Sequence, residues 1–291
     1  MRCSRPYSEY RGVAAADETI DADAFDRYEA AGWERRASEY ARHFTALTGR
    51  VIEPLLDAAG VRTGQTVVDL GCGPGHVAAA CAARGADVVG VDVAGAMVAL
   101  AAERHPGIRF ERADAQRLPF ADASMDAMVG NFVILHVGRP GSVVTEAVRI
   151  LRPGGRLALS TWDGPERMRV IGVLTDALAE AGAAPPADMP AGPPFFRFAD
   201  EAEFTGLITA AGLGDVRIDT VAFHHGLASA AELWNGLLAA TVRTGSLVSG
   251  QPSQTQARIR VAFERHCAAY ATGDGLDVPV SVKIASGWVR S

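Results

Sequence analysis

Between Thr66 and Asp92 the chain reads TVVDLGCGPGHVAAACAARGADVVGVD. An apolar run closes on an acid, three glycines follow within five residues, and a second apolar run closes on another acid. This stretch limits the fold more than any other. Glycines accept positive φ and leave the backbone bare, so Gly71, Gly73 and Gly75 suit a sharp strand-to-helix turn that a ligand can approach closely. The helix behind such a turn presents unpaired N–H groups to an electronegative ligand. In an open parallel sheet this place, beyond the carboxyl ends of the strands, is where ligands bind.

The segments on either side repeat the same alternation. DVVGVD, IRFERAD, MDAMVGNF and GGRLALSTW read as further strands after TVVDLG, separated by the helical stretches HVAAACAAR, AGAMVALAAERH and PGSVVTEAVRIL. Strands alternating with helices of this length predict βαβ units and a parallel sheet. DVRIDTVAFHH and DVPVSVKIASGWV supply two last strands, for an α/β fold with a mostly parallel seven-stranded sheet flanked by helices. Residues 1 to about 22 are polar and irregular, and residues 24–58 follow a helical pattern broken at Gly49. Three regions follow: an N-terminal helical arm (1–50), a nucleotide-type binding core (51–165), and the rest of the sheet (166–291). The last carries helical inserts at about 166–200 and 228–272 that can close over the core as a lid.

Composition excludes several functions. A net charge of −6 with a single lysine, Lys283, and no basic run offers no face for nucleic acid. Cys3, Cys72, Cys81 and Cys267 are scattered without metal-ligand spacing and read as reduced thiols. The N-terminus lacks the apolar core of a signal peptide, and no uncharged stretch is long enough to span a bilayer. The expectation is a cytoplasmic protein without membrane or metal. Its oligomeric state is left open, a homodimer included.

Asp92, ending the second strand, is placed to accept both hydroxyls of a ribose, so the ligand carries a nucleoside. The glycines are spaced G-x-G-x-G, with His76 where the dinucleotide fingerprint G-x-G-x-x-G has its third glycine, and no P-loop is present. Asp69, just before the loop, favours a cationic ligand end and would repel a pyrophosphate.

VVDLGCGPG, VVGVDVAGAMV, RADAQRLPFADASMDAMV and RILRPGGRLALSTW, in this order and spacing, resemble the motifs of class I S-adenosylmethionine-dependent methyltransferases. The likeness covers Val61 to Asp163 and is strongest to the ubiquinone/menaquinone C-methyltransferase-like group of small-molecule enzymes, which share a Rossmann-like sheet. The resemblance implies that Asp69 holds the amino end of S-adenosylmethionine, directly or through water, and that backbone at Gly71, Cys72, Gly73 and Gly75 lines its methionine part. Asp92 takes the ribose hydroxyls, Val93 and Met97 flank the adenine, and Asp114 and Ala115 meet its edge. Asn131 and Phe132 lie near the methyl-bearing sulfur, and Tyr40 reaches the methionine carboxylate. Asp69 and Asp114 are also residue types that cap turns, and Val93, Met97 and Tyr40 equally suit core or helix-face packing.

The implied reaction moves a methyl group from S-adenosylmethionine to a small, hydrophobic or aromatic acceptor, on oxygen or carbon, leaving S-adenosylhomocysteine. If the acceptor must lose a proton, histidine is the residue whose ordinary pKa suits a base. His136, after the fourth strand, ranks first, with His224 and His225 behind it. Trp33, Phe195, Phe196, Phe198 and Trp234 are the aromatics expected to line the acceptor pocket, with lid packing as the plainer alternative. Two other readings stay open: a non-methylating enzyme, such as a cyclase, that binds the same cofactor, and an NAD(P)-dependent oxidoreductase.

Overall fold

A computed structural model describes residues 20–290. Residues 1–19, with Cys3 and the start of the expected arm, lie outside the described residues. The chain opens with α1 (Ala22–His43), α2 (Thr45–Thr48) and α3 (Ile52–Ala58). The core follows as β1 (Thr66–Leu70), α4 (His76–Ala83), β2 (Asp87–Asp92), α5 (Gly95–Arg104), β3 (Arg109–Arg112), β4 (Met125–Gly130), α6 (Pro140–Ile150) and β5 (Leu151–Trp162). Then come α7 (Arg169–Glu180), α8 (Glu201–Ala210), β6 (Leu213–Leu227), α9 (Ala230–Ala240), α10 (Arg243–Ser249), α11 (Ser253–Cys267), β7 (Ala271–Thr272) and β8 (Gly275–Val289).

The sheet order is β3-β2-β1-β4-β5-β8-β6, with two-residue β7 added alongside β8. The pairs from β3 through β5 are parallel, and β8 runs antiparallel between β5 and β6. The seven expected strands are therefore present in a mostly parallel sheet. Side chains alternate across it: Val67, Val88 and Ala127 enter one core cluster, Val68, Val89 and Met128 the other. Because α3, α4 and α7 cover one face and α6 and α8 the other, both sides of each central strand are buried. That double burial explains the near-continuous apolar runs of the sequence.

The helical stretch 24–58 is divided in three, with a 3-10 turn at Gly49–Val51. Pro54 gives the physical reason: proline is tolerated in a helix's first turn and breaks an interior, so a new helix must start just before it. Helix α1 starts on an Asp21 side chain that accepts the Ala24 N–H. It packs on α5 and α9, and its Ala37, Trp33 and Tyr40 meet Met97 and Ala94 of the core. The expected insert between the last two long strands is built from α9, α10 and α11, with α9 against α1 and α11 against α7. Among the described residues, no helix is long and apolar enough to cross a membrane, and no group of three or more His, Cys, Asp or Glu is placed to hold a metal.

Candidate active site

Gly71, Gly73 and Gly75 all have positive φ, at 62°, 49° and 87°. Their reasons differ. A Cβ on Gly71 would stand 2.6 Å from the Val133 side chain, and one on Gly75 within 2.9 Å of His105 and Phe110. A Cβ on Gly73 would meet only the Tyr40 ring, at 3.9 Å. Gly71 and Gly73 line a cavity; Gly75 instead starts α4 in left-handed geometry. Cys72 is buried, its N–H bonded to the Val91 carbonyl at 2.9 Å. Of the four loop positions expected along the ligand, two therefore reach the cavity and two hold the turn.

The cavity contains about 1260 Å³ of empty space, mouth included. It lies at the carboxyl ends of β1, β2 and β4, under α1 and the start of α10. Among the described residues its walls carry four carboxylates, Asp26, Glu29, Asp92 and Asp114, against one arginine, Arg243. Tyr40, Val93, Met97, Ala115, Asn131 and Phe132 line the same cavity.

The two strand-end acids are set differently. Asp92 faces the cavity, its Oδ2 accepting the Gly73 N–H at 3.0 Å and its Oδ1 the Ala94 N–H at 2.9 Å. Burial raises its pKa, while those two N–H groups and His136 oppose the rise. Asp69 lies beneath the loop, fully buried and outside the cavity wall. Its Oδ2 accepts the Ala78 N–H at 2.9 Å, and its Oδ1 is buried without a partner. Burial pushes this carboxyl up to about 8.

At the end of β4, Phe132 has φ 59°, an uncommon conformation for a bulky side chain. Its ring stacks on Trp162 with centroids 3.8 Å apart, and its N–H donates to Ser160 Oγ at 3.0 Å. Ser160 in turn donates to Asn131 Oδ1 at 2.7 Å, and Asn131 Nδ2 donates to the Thr48 carbonyl at 3.2 Å. The N-terminal helices are thereby tied to the residues ending β4. Ser160 and Thr48 carried no sequence signal for this role, since each is an ordinary polar residue until the strands are paired.

His136 lines the cavity, and its Nδ1 is 2.9 Å from Oε2 of Glu29. The same oxygen accepts the Trp33 indole N–H at 3.1 Å. Glu29 is 2% exposed. Sequence reading passed over it, although it falls four residues from both Phe25 and Trp33, an acid on the apolar stripe of α1. Asp26, one turn back, ties α1 down: it accepts from Gly138 N and from Gln116 Nε2.

Several expected residues lie elsewhere. His224 and His225 sit on β6, the sheet edge, two strands beyond β5, and neither reaches the cavity. His224 is exposed and paired with Asp277 at 2.9 Å. Trp33 and Phe195 line the cavity, but Phe196 packs edge-on behind Phe195. Phe198 stacks on Phe204 in the core beneath α8, and Trp234 packs on Phe263 between α9 and α11. Each is an aromatic that its own element turns into a core.

Residues 68–159 match the family model described as a methyltransferase domain. A demethylmenaquinone methyltransferase of Beutenbergia cavernae is 42% identical over 110 residues, 38% of this chain and 46% of that protein. The chain spans about half the length of the curated relatives it matches. Among solved structures, the YcgJ protein from Bacillus subtilis superposes with TM-score 0.55 at 17% identity, covering 84% of this chain and 99% of that one. The [4+2]-cyclase SpnF superposes with TM-score 0.50 at 18% identity, covering 83% and 81%. The structural likenesses show a shared fold, and the sequence matches show a methyltransferase domain at residues 68–159. Over residues 68–159 the chain carries a methyltransferase domain, and there it is similar to demethylmenaquinone methyltransferases.

Proposed function

We propose that this protein transfers a methyl group from S-adenosylmethionine to a small hydrophobic or aromatic metabolite. The observation that carries the reading is a cavity with four carboxylates to one arginine among the described residues, in which Asp92 is fixed at the end of β2 by the N–H groups of Gly73 and Ala94. Such a wall attracts a cationic adenosyl amino acid and repels the pyrophosphate of a dinucleotide.

The residues present fit the group. Gly73 leaves bare backbone beside the Tyr40 ring, where a ligand can lie flat against the chain. Asp92 would take the ribose hydroxyls, Val93 and Met97 the adenine faces, and Asp114 with Ala115 its edge. Tyr40 would reach the carboxylate end. The orphaned Oδ1 of Asp69 would serve the amino end through a bridging water, since the acid lies behind the loop. When bound, S-adenosylmethionine supplies an activated methyl group, displaced in line as its sulfur leaves.

The protein's share is to hold the acceptor in near-attack geometry, worth up to about 7–11 kcal/mol. Phe132 and Asn131, fixed through Ser160, set one wall; Trp33, Phe195, Trp162 and Ile171 make an apolar acceptor end.

Titration calorimetry with S-adenosylhomocysteine and with NADH tests the cofactor assignment, and mass spectrometry with a deuterated methyl donor over a panel of phenols and hydroxyquinones tests transfer. The expected result is binding of the adenosyl compound alone and labelled product. Preferential NADH binding overturns the reading. Tight S-adenosylmethionine binding with no S-adenosylhomocysteine formed across the panel would favour a non-methylating rearrangement.

A further inference from the structure

We propose that Glu29 and His136 form a proton-accepting pair at the acceptor end of the cavity, and that the acceptor is a weakly acidic hydroxyl, a phenol or an enol, methylated on that oxygen. The proposal rests on the methyl-transfer reading above.

The geometry assigns the roles. With Glu29 ionised, a carboxylate that only accepts hydrogen bonds assigns the hydrogen to the imidazole nitrogen 2.9 Å from its Oε2. That nitrogen is Nδ1, which leaves the lone pair on Nε2. Trp33 fixes the pair twice, by its N–H bond to the same Glu29 oxygen and by its ring, edge-on to the imidazole with centroids 4.9 Å apart. Phe195 closes the other side with a ring-centroid distance of 6.5 Å. The histidine is thus held in one tautomer in an apolar enclosure that opens onto the cavity.

A structural role explains Glu29 poorly. Its second oxygen, Oε1, is buried without a hydrogen-bond partner among the described residues, a costly state for a carboxylate. Apolar Phe25 and half-buried Trp33 occupy the same stripe, and Asp26 already ties α1 to the loop after β4. Among the described residues, the other charged groups lining this cavity are Asp26 on α1, Asp92 at the end of β2, Asp114 after β3 and Arg243 on α10, and Arg36 on α1 interacts electrostatically with Glu29. His136 in turn helps hold the Asp92 carboxyl down against the rise that burial causes.

In the step itself, the acceptor hydroxyl gives its proton to His136 Nε2 as its oxygen lone pair bonds the methyl carbon. The pair of the breaking carbon–sulfur bond stays on sulfur, and the imidazolium then releases its proton to water. His136 is the catalytic residue and Glu29 the positioning residue.

The test uses the full chain loaded with S-adenosylhomocysteine. Long-range proton–nitrogen NMR of histidine-labelled protein, assigned with His136→Asn, should show His136 with a bare Nε2; a protonated Nε2 in the neutral ring overturns the proposal. In parallel, 4-nitrophenol should bind about tenfold or more tighter than 4-nitroanisole, which has no hydroxyl proton to give. That preference should fall to within about twofold in His136→Phe and Glu29→Leu, and survive in part in Glu29→Asp. Equal affinity for the two probes, or no affinity for either, in the wild type overturns the pair. S-adenosylhomocysteine affinity in the same samples separates the outcomes: if it is intact, only the pair is rejected; if it is missing, the cofactor assignment fails.

Discussion

The carboxylate of Asp92 accepts the backbone N–H of Gly73 at 3.0 Å, so the acid that ends β2 also sets the innermost bend of the glycine loop. One side chain therefore shapes the loop and faces the cavity. In the proposed binding mode Asp92→Ala removes the acceptor of two ribose hydroxyls, and S-adenosylhomocysteine affinity should drop about 100-fold or more. Calorimetry on the folded variant checks this; unchanged affinity counts against the assignment.

The loop glycines should separate by mutation. Gly73→Ala meets mainly the left-handed backbone penalty of about 1–2 kcal/mol and pushes a methyl toward the ligand. Its main effect should be weaker cofactor binding. Gly75→Ala adds a clash with His105 and Phe110, so it should lose more stability in urea unfolding than Gly73→Ala does. Equal destabilisation would refute the distinction.

Asp69 predicts a pH dependence. Its folded-state pKa is raised from 3.8 to about 8, so the native protein keeps a proton that the unfolded chain has already released. The unfolded state binds fewer protons across that window, and this group's contribution to stability falls as pH rises from about 4 to about 8, by up to about 1.4 kcal/mol per pH unit. Asp69→Asn should flatten that slope in denaturation midpoints measured across the window. A slope identical to wild type would contradict the buried, protonated carboxyl.

Ser160 holds the strained end of β4. Ser160→Ala leaves the Phe132 N–H and Asn131 Oδ1 without their partner and should cost about 2–4 kcal/mol of stability. Urea titration reads this, and a loss below about 0.5 kcal/mol would show that the two groups find other partners.

His224 should be dispensable. Its pairing with Asp277 is solvent-exposed, so His224→Ala should change stability by less than about 1 kcal/mol and leave methyl transfer within about twofold. A large rate loss would reinstate the sheet edge as part of the site.

The sequence by itself determined the layout: apolar runs alternating with helices dictate the parallel sheet, and the G-x-G-x-G turn between two acids locates the ligand end of it. Both are local signals, readable because periodicity and backbone freedom act within a few residues. Asp92, Met97, Asp114 and Asn131 line one cavity because each lies at or just beyond the carboxyl end of a strand on the same side of the sheet. The tertiary structure alone decided the acceptor side. Whether an aromatic lines a pocket or fills a core depends on what its element packs against: Phe195 faces the cavity, while Phe196, Phe198 and Trp234 turn inward. Glu29 and His136 are 107 residues apart, and no local pattern joins them. Only the seating of α1 over the end of β4 brings that carboxylate to that imidazole.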